Sequence, residues 1–128
     1  RRVLFRSTPQ LIAFLTTCVI EVSVVSFLAR RAQISLRRAV PSMLLVNSIS
    51  HPFAWYFFEK LSLDTIFEGL AFIEMMVTLF EGVLYRLTLP VKISMAMAWS
   101  LIANLASFGF GLLYVSADVL LSMFQKGS

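Results

Sequence analysis

TIFEGLAFIEMMVTLFEGVLYRL, Thr65 to Leu87, is long enough to cross a bilayer and yet carries Glu68, Glu74 and Glu81. A helix turns through about 100° per residue, so Glu74 and Glu81, seven apart, fall within roughly 20° of one another. Thr78 lies between them on that face, and Tyr85 continues it by one turn. The stretch therefore reads as a helix of Phe, Met, Leu, Val and Ile with one polar stripe, Glu74-Thr78-Glu81-Tyr85. A carboxylate in hydrocarbon costs at least a few kcal/mol, so the stripe has to face protein or trapped water rather than lipid. Glu68 lies about 120° off the stripe and near the opposite surface, within reach of headgroups or water.

The rest of the chain agrees with this reading. Of its 128 residues, 59% are hydrophobic and 14% charged, and the mean hydropathy is +0.84. A soluble domain carries about 25% charge and about 45–50% apolar residues. Both departures point to an all-α, polytopic integral membrane protein, and the lipid bilayer is its first expected partner. The net charge of +4 is no sign of nucleic acid. Arg30, Arg31, Arg37, Arg38, Arg86 and Lys92 lie between the apolar runs, where membrane anchors sit. No basic face with interleaved aromatics exists, so no nucleic-acid partner is expected. Cys18, the single cysteine, has no CxxC partner and reads as a small buried hydrophobe. Beginning with Arg rather than Met, the chain reads as processed, trimmed or partial. Arg1-Arg2 ahead of the first run resembles the start of a signal peptide, but that run is too long and no small-residue cleavage site follows it.

About 20 apolar residues span a ~30 Å core. Four runs qualify, at about residues 10–29, 39–58, 65–87 and 93–115, in one transmembrane domain covering 1–128. The connections are short, which makes successive helices antiparallel neighbours in a four-helix bundle. The tail from Ser116 extends the last helix or lies in the interface. With the N-terminal arginines discounted, the side bearing the first and third connections is the cytoplasmic one, which leaves both termini outside.

A faint repeat organises the chain. Asn47, Ser50 and Ala54 in the second run recur 57 residues later as Asn104, Ser107 and Gly111 in the fourth. The helix before each carries acids, Glu21 in the first and Glu74 with Glu81 in the third. Two tandem hairpins would each join an acidic helix to an Asn/Ser helix, related by an axis along the membrane normal. At 1.5 Å per residue, Glu21 and Asn47 lie roughly 12 Å from the basic side, Glu81 about 9 Å and Asn104 about 16 Å. His51 and Glu74 lie near 18–20 Å. All four helices thus place strong hydrogen-bonding groups in one slab, and inward-facing groups can satisfy one another.

Pro52 lacks an N–H and collides with the Ser48 carbonyl, so a kink is expected beside His51. An imidazole at a mid-membrane kink suits binding or proton transfer; the plainer alternative is a core histidine in a bent helix. Glu74 is read either as a carboxyl that exchanges a proton for a cation or as a helix lock bonded to Asn104 or Tyr85. Glu81 is read either the first way or as an ion-pair partner of Arg86. Di-iron bundles need Glu-x-x-His on paired helices, a spacing absent here, so neither metal nor cofactor is expected. Gly109 and Gly111, with Ala103, Ala106 and Ser107, are expected to let the fourth helix approach a neighbour closely. Phe53, Trp55, Tyr56, Phe57 and Phe58 read as an interfacial aromatic belt.

EGVLYR, Glu81 to Arg86, resembles the E-E-x-x-x-R signature of the membrane-embedded CAAX-protease-like family, with Gly82 in place of the second Glu and no histidine downstream. Four short helices with Glu21 in the first also resemble the small multidrug exporters. The whole pattern resembles small uncharacterised four-helix bacterial inner-membrane proteins: Glu21, then N-S-x-S-H-P, then spaced Glu and Tyr, then S-L-x-A-N-x-x-S. That likeness implies an inner (plasma) membrane location and no particular activity.

The leading expectation is an accessory or structural subunit of a membrane complex. Its buried network of Glu21, Asn47, Ser50, His51, Glu74, Thr78, Glu81, Tyr85, Asn104 and Ser107 would fix helix packing, with other membrane chains or itself as partner. The alternative is a homo-oligomeric proton-coupled transporter or channel for small molecules or ions, using the intramembrane Glu and His. No enzymatic activity is expected; an intramembrane hydrolase stands third.

Overall fold

A computed structural model describes residues 8–62, 64 and 66–126, and the side chains of 11, 12, 14–62, 64 and 68–113 among them. The chain forms four α-helices: α1 (Thr8–Arg31), α2 (Leu36–Phe58), α3 (Ile66–Thr88) and α4 (Ile93–Lys126). Each packs against its two neighbours in the ring α1-α2-α3-α4, while the diagonal pairs α1/α3 and α2/α4 stay apart. An all-α four-helix bundle with a hollow axis results.

The helix ends differ from the sequence reading where local hydrogen bonding draws residues in. α1 ends in a left-handed Gln33 (φ 60°). The Ile34 N–H bonds back to the Ala29 carbonyl (2.8 Å) and the Gln33 N–H to that of Arg30 (3.1 Å), a Schellman closure. The chain reverses so quickly that α2 starts at Leu36 and takes Arg37 and Arg38 into its first turn. Between α3 and α4, the Val91 N–H bonds to the Leu89 carbonyl (2.8 Å) across Pro90, whose fixed φ suits this three-residue turn. The tail extends the last helix. α4 runs 34 residues, about 51 Å at 1.5 Å each. Pro41 and Pro52 both lie inside α2, which continues through them to Phe58. The Ser48 hydroxyl donates to the Leu44 carbonyl (2.7 Å) instead of filling the site beside Pro52.

The bundle has two storeys. At the end bearing the two tight turns, Val25, Ala29, Ala39, Met43, Val46, Tyr85, Leu89, Val91, Ala96, Trp99 and Ala103 make a closed apolar floor. Arg30, Arg31, Arg37, Arg38, Arg86 and Lys92 are exposed around that end, with the Arg31 guanidinium 5.0 Å from the Phe27 ring centroid. Above the floor the axis widens into a cavity where acids and amides stand among apolar side chains. The bundle's outside is apolar on every helix, for instance at Val19, Leu45, Phe72, Leu79, Leu101 and Leu105. Among the described residues one helix is long and apolar enough to cross a membrane, α4 over Ile93–Leu113.

Close helix approach occurs where the sequence did not place it. Among the described residues a Cβ at Gly109 or Gly111 would meet nothing within 4 Å, whereas at Gly82 it would lie 3.1 Å from Met97 Cα and closer still to its sulfur. Gly82 therefore pins α3 to α4, and the position that carries the second Glu in the CAAX-protease-like signature has no room for a carboxylate. Replacing Gly82 by Leu should push the two helices apart and cost about 1–3 kcal/mol. A denaturation midpoint unchanged from wild type in mixed micelles would contradict this packing.

Candidate functional site: an acidic cavity on the bundle axis

Three carboxyl groups converge on one cavity of about 190 Å³, lined among others by Thr17, Glu21, Asn47, Ser50, His51, Glu74, Glu81, Asn104 and Ser107. Helical spacing explains the convergence. Asn47, Ser50 and His51 share one face of α2, and Asn104 and Ser107 share one face of α4. The hollow ring turns all these faces inward.

Glu81 is the hub, 1% exposed. Its Oε1 accepts from the Ser50 hydroxyl of α2 (2.6 Å). Its Oε2 accepts from the Asn104 amide of α4 (2.6 Å) and from the Ser100 hydroxyl (3.3 Å). Ser100 also reaches the Thr78 carbonyl (2.9 Å), and Asn104 also donates to the Ser100 carbonyl (3.0 Å). One carboxyl thereby ties α2, α3 and α4 together. This corrects two expectations: Asn104 bonds Glu81 rather than Glu74, and Glu81 is enclosed by neutral donors while Arg86 is exposed.

Glu21, also 1% exposed, is served less fully. Its Oε1 accepts from the Ser107 hydroxyl (3.0 Å), while Oε2 is buried with no hydrogen-bond partner. Nε2 of His51 is likewise buried without a hydrogen bond among the described residues, and the Asn47 amide, beside Glu21 and Cys18, has no well-aligned one. The His51 ring stacks on Phe14 (centroids 5.0 Å apart, planes 11° apart) and meets Trp55 edge-on. Buried polar groups ordinarily find partners, and orphaned ones cost about 1–3 kcal/mol each. Here Glu21 Oε2 and His51 Nε2 are two such atoms on residues of one cavity.

The 57-residue correspondence reappears in space. Ser50 donates to the acid of the other hairpin, Glu81, and its counterpart Ser107 donates to the acid of the first, Glu21. Thr17 and Glu74, Asn47 and Asn104, and His51 and Phe108, each 57 apart, all line the cavity. The two acids break the pattern: they are 60 apart, three residues off the 57-residue spacing, and only Glu81 receives three donors.

The remaining residues of the expected network fall elsewhere. Thr78 contributes its carbonyl, and its side chain lines a second, outward groove between α3 and α4. Tyr85 lies in the apolar floor, fully buried, with its hydroxyl unbonded. Pro52 is exposed on the far side of α2, and Glu68 is exposed as well. The aromatic cluster divides: Phe53, Tyr56 and Phe57 face outward, whereas Trp55 and Phe58 line the cavity at the end away from the floor. Sequence reasoning missed Ser100 and Thr17. Ser100 was findable, because Ser100, Asn104 and Ser107 follow the i, i+4, i+7 spacing of one helix face.

Among the described residues no lysine or arginine lines the cavity. Negative charge placed there must be balanced by protons or by a bound cation, because uncompensated charge in such surroundings is very costly. The chain matches no protein-family model, no curated protein and no solved structure.

Proposed function

We propose that this bundle is embedded in a membrane through all four helices and exchanges protons for a small cation at the axial cavity. The apolar exterior on every helix supports the embedding, and α4 supports it by length and composition. The observation that carries the functional reading is a half-served acid beside a space: Glu21 Oε2 and His51 Nε2 are buried without a hydrogen bond among the described residues, on two residues that line a cavity of about 190 Å³. The network is fully bonded at Glu81 and half-served at Glu21. Carboxyls that hold protons when the site is free and yield them to an arriving cation have the chemistry of proton-coupled transport. The closed floor beneath and the aromatic residues at the other end give the cavity one sealed and one approachable side.

The test is uptake of methylammonium by proteoliposomes under a pH gradient. Wild type is expected to take it up, and Glu74→Gln and Glu81→Gln to abolish uptake while assembling normally. A second reading, an accessory subunit of a larger complex, is favoured by the way Glu81 joins three helices. Wild type without uptake, combined with stoichiometric co-purification of other membrane chains, would establish that reading instead.

A further inference from the structure

The cavity has a neighbour. Between α3 and α4 an outward groove of about 540 Å³ is lined by Ala71, Met75, Leu79, Leu101, Leu105 and Leu112, and at its inner edge by Glu74, Thr78 and Asn104. Leu70, Glu74, Asn104 and Phe108 line both spaces. The two helices are pinned at Gly82 against Met97 and leave the groove between them further along, at the level of Glu74. In a membrane this groove opens onto acyl chains, and a carboxyl at its inner edge is the feature hydrocarbon tolerates least.

We propose that the groove is a lateral entrance and that its occupant is a single-chain amphiphile with a primary-amine head. This rests on the transport reading above and names its substrate class. The tail lies along Met75, Leu79, Leu101 and Leu105 and never leaves an apolar medium. Only the head has to cross the wall. A bare ammonium in hydrocarbon is strongly disfavoured, and the Glu74 carboxyl at the seam offers it a charged partner before it reaches Glu21 and Asn47. Ala71 keeps the groove wide where a larger side chain would fill it.

The experiment uses the full chain in zwitterionic nanodiscs with a dodecylamine bearing a photoreactive diazirine at mid-tail, and the matching uncharged dodecanol as control. Amine adducts are expected on Ala71–Leu79 and Leu101–Leu112, at least tenfold above the alcohol. Glu74→Gln should bring the amine down to the alcohol level, Glu74→Asp should retain most of the labelling, and Ala71→Trp should abolish it. Equal labelling by amine and alcohol in wild type, or amine labelling indifferent to Glu74→Gln, overturns the lateral route. Methylammonium uptake separates the two ideas. If uptake persists while amine labelling fails, only the lateral route falls; if both fail, the transport reading falls with it.

Discussion

Glu81→Leu is expected to lower the stability of the bundle by about 2–4 kcal/mol, the largest loss from any single side chain of the cavity. Leucine has a similar volume, so the change is mainly one of bonding. Ser50 loses its partner at 2.6 Å and Asn104 its shorter bond, also 2.6 Å. Ser100 keeps the Thr78 carbonyl and Asn104 keeps the Ser100 carbonyl, which limits the damage to about two orphaned donors. Each orphan costs about 1–3 kcal/mol when buried. Measured intramembrane hydrogen bonds average about 0.6 kcal/mol, which draws the total toward the lower half of the range. Glu81→Gln behaves differently. Its amide oxygen still accepts from Asn104, and its NH2 donates to Ser50, whose hydroxyl can turn to accept. The loss should then be about 1 kcal/mol or less. Titrating SDS into mixed micelles and following helicity measures both variants. Equal losses for Gln and Leu would show that Glu81 is not the hub its contacts describe.

Glu21→Gln should reverse that pattern, sparing the fold and destroying the activity. Glutamine retains the acceptor for Ser107 and the side-chain volume, so the SDS midpoint should barely move. It removes the negative charge of a residue that lines the cavity and whose second oxygen is buried without a hydrogen bond among the described residues. A charge-assisted bond contributes about 1.5–3 kcal/mol, so cation affinity should fall by roughly 10- to 150-fold. Methylammonium uptake is therefore expected to drop at least tenfold at concentrations below saturation. Undiminished uptake in this variant would remove Glu21 from the site. The comparison with Glu81→Leu matters because the two acids occupy one cavity and yet differ in their bonding. One is a hub held by three donors, the other half-served and available.

Much of this was legible in the chain itself, for a physical reason. A helix has a fixed turn and rise, so residues three, four and seven apart share a face whatever the tertiary structure. The pairing of Asn47 with Ser50, of Asn104 with Ser107, and of Glu74 with Glu81 on one face of α3 follow from spacing alone. The cost of charge in an apolar run then requires those faces to meet. The 57-residue echo between α2 and α4 was readable for the same reason, and so were four helices joined by short turns.

Spacing does not set the rotation of each helix about its own axis or its register against a neighbour; packing does. Gly82 against Met97 settles how α3 lies on α4, and that contact places Glu81, rather than Glu74, over Asn104. The same register leaves Gly109 and Gly111 in open space and drops Tyr85 into the apolar floor. The separation of the diagonal helices, which makes the cavity, is a property of the whole ring. Composition and periodicity thus called for Glu21, Glu74 and Glu81 to turn inward together. Only the packed ring decided which acid is fully bonded, which is half-served, and that an outward groove borders the cavity beside Glu74.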